Sequence, residues 1–323
     1  MHRQLICLLT VAACAQAPPK TYEYYLTGNA ADVKPATRPG FVLMGGGKDV
    51  DAAFRWMLAK AGGGDVVVLR ASGSDGYNKY IHEMGADSVE SIVVKTAEAA
   101  RDAFVLEKIR HAEALWIAGG DQWNYVRVWG ASPMREEIHA LIDRGVPVGG
   151  TSAGLAVLGQ FVFTAEKDSV TSAQALANPY DERVKIGEDF VKIPALRGVI
   201  TDTHFVKRDR LGRLLTFLAR IVEDGKAAEA RAIAVDERTA ALVEPDGSVT
   251  IEGEGPAYFL RLAGKAEVCK PGRPLTIAKI SVYRVKAGDS FDLKKWTGRG
   301  GAAYELSVRE GVIASTQSGG GMY

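Results

Sequence analysis

The sequence predicts an α/β protein: a three-layer arrangement of a mostly parallel sheet with helices on both faces, followed by a β-rich C-terminal extension. Three observations carry this. Short, continuous apolar runs recur between Phe41 and Val148, as expected of strands buried on both faces. Stretches with helical spacing separate them. From about Val249 the helical spacing stops, and strand-like runs alternate with Gly- and Pro-rich turns.

In chain order, residues 1–17 read as a secretory leader. Arg3 precedes the apolar run from Leu5 to Ala13, which is too short for a permanent membrane span. Two processing sites compete: Ala15-Gln16-Ala17 has small residues in the right places but is followed by Pro18, and Val11-Ala12-Ala13-Cys14 matches a bacterial lipobox. The second would end the leader at Ala13 and leave Cys14 as a lipid anchor. Residues 18–39 are polar and read as a linker, residues 40–248 as the main domain and 249–323 as the extension. Phe41-Val42-Leu43-Met44 is the first strand, closed by the turn Gly45-Gly46-Gly47. A helix follows, with Val50, Ala53, Phe54, Met57 and Leu58 on one face. Val66–Leu69, Ile92–Val94, Ala114–Ala118 and Val146–Val148 are further strands, separated by helices over 97–110 and 133–144. The closing Ser318-Gly319-Gly320-Gly321 is expected to fray.

Composition excludes little beyond the obvious. With 47% apolar and 24% charged residues in a chain of 323, a sizeable core can be buried. A formal net charge of +1 gives no reason to expect nucleic acid as a partner. Cys7 and Cys14 lie in the leader, so Cys269 can form neither an intramolecular disulfide nor a cysteine metal site in the body.

Chemistry is concentrated at strand ends, where open α/β sheets bind ligands. Gly150-Thr151-Ser152-Ala153-Gly154 follows a strand and opens a helical run, the context that a G-x-S-x-G nucleophile turn requires. Ser152 is the nucleophile this predicts. The Ala153 N–H would face a developing oxyanion, with a second donor from the turn at Gly46; such donors contribute about 3 kcal/mol each. A serine that merely caps a helix fits the motif alone equally well, so the remaining residues decide. A hydroxyl nucleophile needs a base. His82, His111 and His139 lie in polar, helix-like stretches, whereas His204 follows the apolar Val199-Ile200 at a strand end. An acid must then orient the imidazole, and Asp236-Glu237 at the end of Ile233-Ala234-Val235 offers two, of which one can point inward. The order serine, histidine, acid disfavours an α/β-hydrolase.

Four ordered segments, GGDQ (119–122), GGTSAG (149–154), DTHF with RDRLGRLL (202–215) and AVDERTA (234–240), resemble cyanophycinases and, more broadly, dipeptidase-E-type serine peptidases with a class I glutamine amidotransferase-like fold. The resemblance covers about residues 40–245. It implies Ser152, His204 and Glu237 as a triad. It also implies Gln122, Arg208, Arg210 and Arg213 as substrate contacts, and a substrate such as cyanophycin, multi-L-arginyl-poly-L-aspartate, cut to β-aspartyl-arginine. Thr203 is taken as a fifth substrate contact; it departs from the family's glutamine before the histidine, which bears on polymer specificity. Cations at the start of the helix with the apolar stripe Leu211, Leu214, Leu215 and Leu218 oppose its dipole, and an anionic substrate would reconcile them. Arg70-Ala71-Ser72-Gly73 is a further candidate lining segment.

The expectation is an exported serine exopeptidase, in the periplasm, on the outer surface or outside the cell, using no metal and no organic cofactor. Its partner is a peptide or cyanophycin-like polymer, and a homodimer is left open. Related peptidases of other aspartyl or isoaspartyl dipeptides, and a silent surface binding protein, are the alternatives. An amidotransferase is disfavoured because its nucleophile would be cysteine.

Overall fold

The computed structural model describes residues 20–323. The predicted leader, with Cys14 and both processing sites, lies outside the described residues. The expected parallel sheet forms from five strands in the order Ser88–Val93, Asp65–Arg70, Ala114–Ile117, Val148–Thr151, Phe41–Met44. All of Val66, Val68, Leu43 and Ile117 are fully buried, because helices cover both faces. On one side the helix Asp51–Lys60 seats Phe54 and Met57 against Val42, Val68 and Trp116. On the other, the helices Ala103–His111, Gln122–Trp129 and Pro133–Asp143 pack Val105, Trp129 and Leu141 against Leu43, Val67 and Leu115.

The parallel strands form only the centre of a ten-stranded mixed sheet, and a second, eight-stranded sheet stands beside it. In the second sheet only Phe161–Phe163, Val199–Asp202 and Ala230–Val235 run parallel. The long helix Leu211–Glu223 covers its outer face through Leu214, Phe217 and Leu218. Its inner face, with Ile233, Val235 and Phe259, shares a core with the first sheet. Antiparallel strands extend both sheets, so the arrangement is mixed rather than mostly parallel.

Three expectations about organisation need correction. The stretch read as a linker contains the strand Glu23–Gly28, which pairs antiparallel with Ser88–Val93. Its alternating pattern was obscured by polar residues: Tyr24 reaches in to bond Glu90, itself buried and paired with Lys108. The boundary at 248/249 falls inside the strand Ser248–Gly253, which continues the first sheet, while Ala257–Leu262, Ile277–Val285 and Ala302–Arg309 continue the second. The C-terminal part therefore completes both sheets. Nor is the stretch around Ser318–Gly321 without ties: Gln317 Nε2 donates to Gly321 O at 2.7 Å, and beyond it the Tyr323 hydroxyl donates to Asp209 at 2.7 Å.

Candidate active site

The strand Val148–Thr151 leads straight into Ser152, which adopts φ 53° and ψ −118°. That backbone is costly for a residue with a side chain, on the order of 1–3 kcal/mol, and persists because its surroundings enforce it. A Cβ on Gly150 would lie 2.6 Å from the Gly154 carbonyl, and one on Gly154 would overlap the Ile117 carbonyl oxygen. Both glycines of the motif are thus sterically required. The helix that follows, Ala153–Ala156, is a single turn. The expected helix-dipole assistance is correspondingly small, and Ala153 offers its own N–H rather than the end of a long helix.

Ser152 Oγ lies 2.7 Å from His204 Nε2, and His204 Nδ1 lies 2.7 Å from Glu237 Oε1. The three come from different parts of the architecture. Ser152 ends a strand of the first sheet and His204 follows a strand of the second, Val199–Asp202. Glu237 sits in the turn where the chain passes from Ala230–Val235 in the second sheet to Thr239–Val243 in the first. Asp236, the other candidate acid, faces elsewhere; its carboxylate accepts from the Val206 and Lys207 amides, both at 3.1 Å.

The glycine turn after Phe41–Met44 draws these segments together. Met44 O accepts from Ser152 N at 3.1 Å, Gly45 O from His204 N at 2.9 Å, and Gly46 O from Arg238 N at 2.8 Å. Three successive carbonyls therefore bind the three segments that bring the serine, the histidine and the acid. Side chains could not be accommodated: a Cβ on Gly46 would lie 2.5 Å from His204 Nε2, and one on Gly45 would overlap the Asp236 carbonyl. Gly46 thus lies against the imidazole. Gly119 lies on the serine side, where a Cβ would meet Ser152 Cβ at 3.4 Å.

Burial lowers the His204 imidazole below its ordinary value; the Glu237 hydrogen bond opposes this, while Arg208 and Arg210 add to it. The ring is therefore neutral, and able to accept a proton, at neutral pH. The hydrogen bond to His204 holds the Glu237 carboxyl below its usual range. An open cleft of about 450 Å³ exposes the pair, lined by Gly46, Gly119, Gly120, Arg70, Tyr77 and Arg208 among others.

The Peptidase family S51 profile matches residues 61–179, a span that includes Ser152 but stops short of His204 and Glu237. The chain is 27% identical over 226 residues to the cyanophycinase of Trichormus variabilis, covering 68% of this chain and 70% of that one. With the cyanophycinase of Synechococcus elongatus it shares 24% identity over 273 residues, 79% and 80% of the two chains. In fold it is similar to the crystal structure of a peptidase from an acI-B1 Actinobacterium, with a TM-score of 0.52 at 16% identity over 80% of this chain and 98% of the other. The chain is a serine-type peptidase, similar to cyanophycinases over about two thirds of its length.

Of the five expected substrate contacts in this peptidase, only Arg208 lines the cleft. Arg213 is 3% exposed and grips Asp202 through two guanidinium nitrogens, so an internal carboxylate, not a ligand, reconciles this cation with the helix start. Arg210 donates to the Thr203 carbonyl and hydroxyl, both at 2.9 Å. Thr203 is itself buried, which removes it from the substrate's reach. Gln122, the first residue of its helix, turns its amide to the Phe163 carbonyl at 3.3 Å and is absent from the cleft lining.

Two further residues line the cleft, and only Tyr77 went unread in the sequence. Arg70 ends the strand Asp65–Arg70 and holds its own loop by donating to Ser72 O at 2.6 Å and Ser74 O at 2.5 Å. Tyr77 donates to Asp49 at 3.2 Å, and burial raises both the phenol and that carboxyl. Tyr77 has no motif around it, whereas Arg70, read from the sequence as part of a candidate lining segment at a strand end, does line the cleft.

Proposed function

We propose that this peptidase releases β-aspartyl-arginine from multi-L-arginyl-poly-L-aspartate by way of an acyl-enzyme on Ser152. The observation that carries the chemistry is the pair of 2.7 Å hydrogen bonds from Ser152 through His204 to Glu237. His204 Nε2 takes the hydroxyl proton as Oγ attacks the scissile carbonyl carbon. Glu237 holds the Nδ1 proton and stabilises the imidazolium. The tetrahedral oxyanion is met by the Ala153 N–H and, on the serine side, by an amide of the Gly119–Gly120 turn, better placed than Gly46, which abuts the imidazole. Collapse breaks the C–N bond, and the leaving amine takes its proton from His204. Water, deprotonated by the same ring, then hydrolyses the ester and restores Ser152. Positioned base catalysis contributes roughly a hundred- to ten-thousand-fold.

Among the described residues, Arg70 and Arg208 are the cations of a cleft lining without a carboxylate, which supports a substrate bearing one. Both relatives named cyanophycinase support the polymer as substrate. A second reading, cleavage of other aspartyl or isoaspartyl dipeptides, is favoured by Thr203 in place of the family's glutamine. Incubation with purified cyanophycin and with aspartyl dipeptides, followed by mass spectrometry, separates the two. A fluorophosphonate should label the wild type and fail to label Ser152→Ala; an unlabelled wild type would instead support a silent binding protein.

Export, a lipid anchor on Cys14 and a homodimer complete this reading. The lipobox-like residues 11–14 support the anchor. Metabolic palmitate labelling that survives in Cys14→Ser would refute it, and sedimentation tests the dimer.

A further inference from the structure

We propose that Tyr323 is a positioning residue for the active site: it pins the turn that carries Arg208 and thereby sets the enzyme's grip on an anionic substrate. The inference rests on the role given to Arg208 above.

Beyond the strand Val312–Ser315 the chain is led back toward the turn at Asp209 by one bond within itself and two to the second sheet. Gln317 Nε2 donates to Gly321 O at 2.7 Å, the Tyr304 hydroxyl to Met322 O at 3.1 Å and Arg284 Nη1 to Tyr323 O at 2.8 Å. The Tyr323 ring stands edge-on to Phe205 and Tyr258, with centroids 5.6 and 6.1 Å away. Its hydroxyl donates to Asp209 Oδ1 at 2.7 Å and accepts from Leu211 N at 3.1 Å.

Phe205, Asp209 and Leu211 bracket Arg208, and Phe205 directly follows His204. The turn needs external support. Asp209 has φ 46°, in the left-handed region. The helix Leu211–Glu223 begins at Arg210 with no side-chain cap, so Tyr323 satisfies an amide at its first residue that would otherwise lack a partner. Arg208 is exposed and makes no ion pair among the described residues; its amide alone is tied, to His204 O at 2.9 Å. With no side-chain partner among the described residues, the guanidinium is anchored only through its backbone, so the turn sets what part of the cleft it can reach. Asp236 and Ser172 hold the other side of that turn, so loss of the hydroxyl should loosen the turn without collapsing it.

Tyr323→Phe keeps the ring packing and removes both hydroxyl bonds. It is compared with Arg208→Gln and the double variant on soluble cyanophycin, or on an aspartyl dipeptide if that is the substrate cleaved. Labelling by a small neutral fluorophosphonate is measured alongside. Tyr323→Phe should raise KM about 3- to 10-fold, with kcat and the labelling rate within about twofold of wild type. Arg208→Gln should raise KM at least as far, and adding Tyr323→Phe to it should change nothing more. An unchanged KM in Tyr323→Phe, a labelling rate that falls in step with it, or a full Tyr323 effect in the Arg208→Gln background overturns the inference. A normal KM in Arg208→Gln, or a wild type that cleaves neither substrate, removes the underlying reading instead.

Discussion

Replacing Gly46 with alanine tests the geometry most directly. The new Cβ would lie 2.5 Å from His204 Nε2, whereas ordinary contact begins at 3.4 Å, leaving a shortfall of 0.9 Å. The backbone cannot easily yield, since Gly45 O holds His204 N and Gly46 O holds Arg238 N. The imidazole must therefore move by about 1 Å, a displacement that typically costs about a hundredfold in rate. The bond to Ser152, now 2.7 Å, would pass beyond hydrogen-bonding distance. Alanine at φ +98° adds backbone strain of about 1–3 kcal/mol, which denaturant unfolding would register separately. Single-turnover acylation should fall about a hundredfold with substrate binding little changed. Gly47→Ala is the milder comparison, because its Cβ would fall 3.1 Å from Glu237 Cβ, a shortfall of 0.3 Å set against the acid rather than the imidazole. If Gly46→Ala acylates within about threefold of wild type in a folded protein, the imidazole is not confined as described, and the argument fails.

Activity should decline as pH falls through the His204 ionisation, with a midpoint below 6.5, since burial lowers that group. Arg208→Gln removes a positive neighbour and should move the acidic limb of a kcat/KM profile upward; a downward shift would contradict this. Asp202→Ala leaves Arg213 buried without its partner and should cost about 3–5 kcal/mol in urea unfolding, with Asp202→Ala/Arg213→Met recovering part of the loss. Burial pushes the Glu113 carboxyl up to about 7, aided by Asp65 and Asp32 and opposed by the Asp65 amide. Its contribution to stability is therefore complete below about 4.5 and is lost as pH rises through about 7. Glu113→Gln should gain about 1–2 kcal/mol over wild type at pH 8 and nothing at pH 4.

The parallel centre was legible because strands buried on both faces read as unbroken apolar runs: Phe41–Met44 lies where the pattern put it, and Val66–Leu69 lies within Asp65–Arg70. Ser88–Val93 was half missed because Ser88, Glu90 and Ser91 are polar yet buried, each with a partner the sequence does not reveal. The strand Glu23–Gly28 was missed because it is a half-exposed edge strand with no apolar run. The juxtaposition of Ser152, His204 and Glu237 agreed with motif order, which reflects chemistry concentrated at strand ends. The arginines were harder. Periodicity puts Arg208, Arg210 and Arg213 at one helix start, but only the position of Asp202 decides that Arg213 faces inward and Arg208 outward. Pairing across two sheets is likewise invisible to local patterns, so the C-terminal strands read as an appendage.

Since the serine is borne by one sheet, the histidine by the other and the acid by the link between them, the proposed mechanism leaves neither half of the molecule able to hydrolyse anything alone. A nascent or partly melted chain carries an inert serine, and reactivity appears only when both sheets have docked. Loss of turnover on heating should then report the parting of that seam, ahead of any loss of helix.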